Sequence, residues 1–97
     1  MTKYIICETQ EYKAWFKTQT LKSQRQILSR LLMVEDAGYF GHYKYLQSEQ
    51  IWELKFNDGR RVYYVLASKT MILLFGGNKN GQEKDIKKAA KIFRQIG

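Results

Sequence analysis

Five basic or phenolic side chains between residues 44 and 79 are of types that suit phosphate chemistry. They lie in or beside segments rich in aromatic and β-branched residues, and they are Lys44, Lys55, Arg61, Tyr63 and Lys79. Cations stabilise the extra negative charge on a phosphate under attack, and a lysine or tyrosine can transfer a proton. Aromatic rings nearby would stack unpaired bases. The set therefore suits cleavage of an RNA phosphodiester by the RNA's own 2′-hydroxyl.

The stretch LLFGGNKNGQEKDI (73–86) suggests a phosphate-binding loop, because an apolar strand runs into two glycines and a lysine. A Walker loop needs Lys and then Ser or Thr after its last glycine, but Gln82 and Glu83 stand there. No parallel βαβ unit is predicted around the glycines, which argues against a dinucleotide-binding turn. We interpret the stretch as a strand that leads to the lip of an RNA site, where Lys79 meets a backbone phosphate.

Residues for metal and nucleophile chemistry are missing. His42 is the only histidine, and no spaced cluster of Cys, His or carboxylates accompanies it. A serine triad would need the same histidine and also lacks a nucleophile elbow. The residues therefore predict neither a metal nor a cofactor. Glu53 and Asp85 could act as a carboxylate pair, although no distinctive spacing marks them.

Composition predicts one basic domain in the cytoplasm. A chain of 97 residues has room for one domain, expected over residues 1–97. The net charge of +8 divides into +2 for residues 1–37 (six Lys/Arg, four Asp/Glu) and +6 for residues 38–97 (eleven and five). This asymmetry favours a polyanionic partner, nucleic acid above all. One cysteine, no secretory leader and only short apolar runs favour a reducing compartment and no membrane span.

The hydrophobic pattern predicts the element order β-α-α-β-β-β-β-α. Thr9 and Thr20 are placed to cap two consecutive helices, and Gly38 to end the second. Asn80, with Glu83 three residues later, is placed to cap a last helix. Strands are predicted at 4–7, 43–46, 51–56, 61–68 and 70–75. We expect an α+β domain: an antiparallel sheet, an N-terminal helical hairpin packed on one face, and a C-terminal helix, with the helices on one side of the sheet.

Strand alternation indicates which side chains share a face of this sheet. Lys55 falls on the opposite face of its strand from Trp52. If the helices cover the Trp52 face, Lys55 faces an open concave surface. Either Arg61 with Tyr63, or Tyr64, would share that surface, depending on how the strands pair.

The motifs GHYKYL (41–46), IWELKF (51–56), GRRVYY (59–64) and LLFGGNKNGQEKDI (73–86), in this order and spacing, resemble the RelE/HigB-type toxin superfamily. Within it, nearly the whole chain is similar to the addiction-module killer proteins, or phage-derived HigB-like toxins. The resemblance implies a RelE/ParE-like fold and the toxin component of a type II toxin–antitoxin system. The implied activity is an mRNA endoribonuclease, ribosome-dependent or free. The implied partners are mRNA and a cognate antitoxin, commonly a small helix-turn-helix protein.

The resemblance also implies roles for individual residues. Catalytic or phosphate-binding roles fall on Lys44, Lys55, Arg61, Tyr63 and Lys79, while Gln82 and Asp85 complete the last motif. RNA-binding roles are predicted for Arg60, Lys84, Lys87 and Lys88. His42 departs from the acidic residue of the relatives, and no histidine or tyrosine stands near the C-terminus, where several relatives place a catalytic one. Lys44, Lys79 or Tyr63 would then supply the general acid.

Other readings of the same residues stay open. Arg61 could pair with Glu53 or Asp85 across the sheet, because ion-pair networks resemble functional sites. Tyr63 could be a packing residue, and Asp85 could only hold the turn and the start of the last helix. A ParE-like toxin that inhibits gyrase without nuclease activity, or a non-toxic relative that only binds an antitoxin, would share the fold.

Overall fold

The computed structural model describes residues 2–96, and its elements follow the predicted order. They are β1 (Ile5–Glu8), α1 (Gln10–Lys17), α2 (Leu21–Ala37), β2 (Tyr43–Leu46), β3 (Ile51–Lys55), β4 (Arg60–Ala67), β5 (Thr70–Asn78), a 3-10 turn (Lys79–Gly81) and α3 (Gln82–Ile96). The α+β class predicted from the sequence is confirmed.

The ends of the helical hairpin lie where local sequence places them. The hydroxyl oxygens of Thr9 and Thr20 each accept a hydrogen bond from a backbone N–H three residues on, which caps α1 and α2. Gly38 ends α2 with a left-handed φ of 68°. The predicted cap at Asn80 is wrong, because Asn78 accepts from the backbone N–H of Asn80 and starts the 3-10 turn instead.

The sheet is mixed rather than wholly antiparallel. Its strand order is β1-β5-β4-β3-β2, and β1 lies parallel to β5 while all other pairs are antiparallel. A parallel pair needs a long crossover between its strands. The helical hairpin and three strands between β1 and β5 supply that crossover. A local sequence pattern does not show whether two strands pair in parallel or antiparallel.

Helices cover both faces of the sheet, which corrects the expectation that they lie on one side. The hairpin α1–α2 covers one face. The buried residues of this layer, from helices and strands together, are Tyr12, Ile27, Leu31, Val34, Leu54, Phe56, Val62, Tyr64, Met71 and Leu73. α3 covers the other face, whose buried residues are Ile51, Tyr63, Val65, Leu74, Ala89 and Ile92. The inner strands carry apolar side chains on both faces, so each face needs a helical layer to exclude water.

Candidate functional site

The strand register brings four of the predicted catalytic residues onto the α3 face of the sheet. Lys55 of β3 lies directly opposite Arg61 of β4. In the neighbouring row, Glu53 lies between Lys44 of β2 and Tyr63 of β4. Because side chains of paired residues point to the same face, these groups form two adjacent rows. Of the two sets left open by the sequence, the structure places Arg61 and Tyr63 beside Lys55.

Lys79 reaches the same end of the sheet from the end of β5. Its backbone N–H donates to the carbonyl oxygen of Gly59, with an N···O distance of 2.8 Å. A Cβ atom on Gly59 would lie 3.1 Å from the Cγ and Cδ atoms of Lys79, so the lysine stem lies directly over this turn. The turn joins Lys55 to Arg61, so the exposed Lys79 lies at the same end of the sheet as both cations.

Glu53 and Arg61 form a mostly buried polar contact with the start of α3. Glu53 is 1% exposed, and its Oε2 accepts from Nε2 of Gln82 at 3.0 Å. Its Oε1 lies 4.0 Å from Nε of Arg61, whose side chain is 12% exposed. The structural pairing of Arg61 with Glu53 is thus present. At this distance Nε of Arg61 has no hydrogen-bond partner among the described residues, whereas the bond from Gln82 ties Glu53 to the first turn of α3.

Asp85 lies against the backbone of β5 at Gly77. A Cβ atom on Gly77 would overlap the Asp85 carboxylate, so only glycine admits this approach. Gly77 is the cross-strand neighbour of Arg61. Burial raises the pKa of Asp85, while the charges of Lys84 and Lys88 oppose the shift. A carboxyl group that holds its proton more strongly than usual therefore lies one strand away from the arginine.

Tyr63 is not available to a substrate in this structure. Its side chain is fully buried beneath α3, and its hydroxyl has no hydrogen-bond partner among the described residues. Burial raises the pKa of this phenol well above its ordinary value, and the carboxylates of Glu53 and Asp85 add to the shift. The expected open concave surface is covered here, because the apolar stripe of α3 packs onto the inner strands.

The four residues predicted to bind RNA divide into two groups. Arg60 is 8% exposed on the hairpin side, paired with the carboxylate of Asp58 and with Oε1 of Gln26 at 3.2 Å. A residue held in this way is structural, and its placement does not support direct RNA contact. The other three, Lys84, Lys87 and Lys88, are exposed on α3. The Nζ atom of Lys88 lies 4.4 Å from the ring centroid of Phe75.

The polar residues at the start of α3 belong to the site more fully than local sequence indicates. Gln82 and Asp85, which complete the last motif, contact the site through Glu53 and Gly77. The available signal was the glycine pair inside an otherwise apolar strand, which indicates close approach by another group. The residue that packs on each glycine could not be predicted, because Trp15 is distant in sequence and Asp85 belongs to another element, α3.

Two searches within residues 2–96 gave negative results. No helix is both long and apolar enough to cross a membrane. No three His, Cys, Asp or Glu side chains in this range lie together as metal ligands would.

Comparison with known proteins identifies the fold. No family model matches the chain. A variant of the E. coli toxin RelE in the free state superposes with a TM-score of 0.74 and 14% identity over 100% of both chains. A chain of the intact E. coli RelBE toxin–antitoxin complex gives a TM-score of 0.59 and 12% identity, covering 77% of this chain and 95% of that one. The described residues therefore have the same fold as the E. coli toxin RelE, as the motifs implied.

A relative in sequence was also found. An uncharacterized protein of Haemophilus influenzae is 32% identical over 96 residues, which cover 95% of each chain. The chain belongs to the same family as this Haemophilus influenzae protein. Membership of the HigB-like group within the superfamily stays a prediction.

Proposed function

We propose that this chain is the toxin of a type II toxin–antitoxin system and that it inhibits translation by cutting mRNA on the ribosome. Two solved structures with the same fold are a toxin and a toxin–antitoxin complex. The observation that carries the proposal is the convergence of Lys55, Arg61 and Lys79 at one end of the sheet. Three cations beside a carboxyl group suit attack on a phosphodiester better than they suit a purely structural role.

In the proposed reaction the RNA supplies its own nucleophile. The 2′-hydroxyl attacks the adjacent phosphorus, a 2′,3′-cyclic phosphate forms, and the bond to the 5′-oxygen of the next nucleotide breaks. Lys55 and Arg61 stabilise the additional negative charge on the phosphorane. Asp85 accepts the proton of the 2′-hydroxyl, and its raised pKa makes it a stronger base than an ordinary aspartate. Lys79, exposed at the rim, donates a proton to the departing 5′-oxygen.

The remaining predicted residues take supporting roles in this proposal. Lys44 is exposed on the edge strand β2, where it would hold a flanking phosphate. Lys84, Lys87 and Lys88 would meet further phosphates along α3. Tyr63 supports the site from below by packing, because its hydroxyl lies out of reach. The mechanism uses no metal ion and no cofactor.

The proposed partner is a cognate antitoxin, a small helix-turn-helix protein, and the proposed location is the cytoplasm. The solved E. coli RelBE complex, one chain of which has this fold, is a toxin–antitoxin complex and supports an antitoxin as partner. A helix-turn-helix antitoxin would also bind the DNA of its own operon.

The experiment that tests the function maps mRNA 5′ ends shortly after induction of the wild type, Lys55→Ala and Arg61→Ala. Lys55 makes no ion pair among the described residues, so Lys55→Ala should fold normally. Any loss of cleavage in this variant then reflects the missing charge at the site. Arg94→Ala, an exposed substitution on α3, is the matched control for loss of one positive charge. Circular dichroism and urea denaturation verify that each variant is folded.

We expect new breaks within translated frames for the wild type and the control, and their loss for Lys55→Ala and Arg61→Ala. Growth arrest without new breaks, accompanied by DNA damage signalling, would favour a ParE-like gyrase inhibitor instead. Harmless expression of the folded wild type would favour a non-toxic relative that only binds an antitoxin.

A further inference from the structure

A second basic surface lies on the hairpin side of the sheet, in a cleft between α2 and the turn from β3 to β4. The cleft has a volume of about 690 Å³. One wall is the polar side of α2, which contributes Lys22, Arg25 and Arg30. The other wall includes Phe56 and Arg60. Ser23, Gln26, Ser29 and Asn57 add side-chain hydrogen-bond donors to the lining.

The positive charge of this cleft is not neutralised within the protein. Asp58 is the one carboxylate in the lining, and it is paired with Arg60. Arg30 donates only to backbone carbonyls, with Nη1 3.1 Å from Phe40 O and Nη2 3.1 Å from Lys55 O. No carboxylate lies within ion-pair distance of Arg30 among residues 2–96. Burial lowers the pKa of this guanidinium, as expected for a cation that lacks a counter-ion.

The cleft meets the candidate cleavage site at the turn from β3 to β4. Arg30 holds the backbone of Lys55, whose side chain points to the other face of the sheet. Asp58 and Arg60 also line a smaller cleft of about 240 Å³ that extends to Gly77 and Asn78. Lys79 lies over Gly59 in the same turn. The cleft of α2 and the candidate cleavage site therefore meet at this turn, where Asp58 and Arg60 form an ion pair.

We propose that this cleft, lined by Lys22, Arg25 and Arg30, binds the phosphate backbone of the RNA strand beyond the bond that is cut. This inference rests on the proposed function, which supplies the identity of the strand. The lining offers cations and neutral donors, as phosphates require, and Tyr39, 58% exposed at the rim, offers a ring for an unpaired base. Because the two surfaces meet at one turn, a single strand can occupy both.

The test measures binding of a fluorescein-labelled single-stranded RNA of about 12 nucleotides, a length that spans more than one contact surface. Its 2′-hydroxyls are methylated, so the strand cannot be cut. Fluorescence anisotropy is recorded over a range of salt concentrations for the wild type and for Lys22→Glu/Arg25→Glu, in which two exposed cations are reversed. Lys13→Glu/Lys69→Glu changes the net charge equally at exposed residues that do not line the cleft.

The cleft variant should bind at least about tenfold more weakly than the control variant. Its plot of log affinity against log salt should be flatter by about 1.4, because each phosphate contact on a single strand contributes about 0.7. Two results would overturn the inference: an equal loss of RNA affinity in both variants, or wild-type affinity in the cleft variant. An acidic protein segment would then be the better occupant of the cleft. If the chain binds RNA through the cleft but does not cut mRNA, the proposed function is wrong and the inference about the cleft stands.

Discussion

The side chain of Glu53 connects the chemistry of the site to its stability. Its Oε2 accepts from Gln82 on α3, and its Oε1 faces Arg61 at 4.0 Å. Removing one member of a mostly buried ion pair leaves the other charge without its partner, which destabilises a fold. Loss of activity in Arg61→Ala alone could therefore have two causes, whereas Lys55→Ala removes a half-exposed cation with no such contact. The two variants together separate charge stabilisation from folding.

Tyr63→Phe should leave cleavage unchanged. The Tyr63 hydroxyl is buried and unpartnered among the described residues, so it neither reaches RNA nor contributes a hydrogen bond. Removing a buried hydroxyl that lacks a partner is neutral or raises the free energy of unfolding by up to about 1 kcal/mol. Urea denaturation and the rate of mRNA cleavage check both expectations. A large loss of activity in a folded variant would show that α3 moves and that Tyr63 is the general acid after all.

Asp85→Asn should make the protein more stable at neutral pH and less active. The pKa of Asp85 is raised in the folded state. Its contribution to the free energy of unfolding is therefore complete only below the pKa of the unfolded state, about 3.9. That contribution is lost as pH rises through the folded-state pKa. The variant cannot ionise, so its advantage in urea denaturation should be present at pH 7 and shrink toward pH 4. An advantage for the wild type that grows with pH would contradict this assignment.

At the scale of elements, local sequence determined the hairpin and the strands but not the end of β5. Thr9, Thr20 and Gly38 act within a few residues of their own positions, so their caps were predictable. The predicted strand ended at Phe75, whereas β5 continues through both glycines to Asn78. Trp15 of α1 and Asp85 of α3 lie over those glycines. A pattern within one strand does not predict its contacts with other elements.

Gly76→Ala should destabilise the fold by about 1–3 kcal/mol, the usual cost of overpacking. A Cβ atom at Gly76 would overlap the indole of Trp15, and the ring of a half-buried tryptophan has little room to move. Gly81→Ala is the matched control, because its Cβ would make only an ordinary contact, 3.4 Å from Asp85 Oδ2. Urea denaturation compares the two, and equal stabilities would show that α1 does not approach β5 so closely.

The candidate site was predictable in its residue types and only partly in its geometry. Alternation correctly placed Lys55 opposite Trp52, but the pairing of Lys55 with Arg61 depends on register, which the turn geometry sets. The position of α3 on the second face decided that Tyr63 is buried. The basic cleft was overlooked, although Lys22, Arg25 and Arg30 lie on one side of α2 and could have indicated it.

At the scale of the whole molecule, the charge of +8 is distributed over both faces of the sheet. Lys55, Arg61 and the lysines of α3 lie on one side, and the cleft of α2 lies on the other. The two surfaces meet at the turn that carries Gly59, where Lys79 lies. A polyanion bound at this end of the molecule can contact both sets of cations, and its affinity should fall steeply with salt.

The most direct test of the central claim uses purified ribosomes programmed with a defined message, and the same message alone. We expect the wild-type chain to cut the ribosome-bound message and to leave a 2′,3′-cyclic phosphate on one fragment and a 5′-hydroxyl on the other. Lys55→Ala should slow cleavage by about 10²- to 10³-fold, the usual effect of removing one group that stabilises transition-state charge. An intact message, or fragments that end in a 3′-hydroxyl, would contradict a nuclease that uses the RNA's own 2′-hydroxyl.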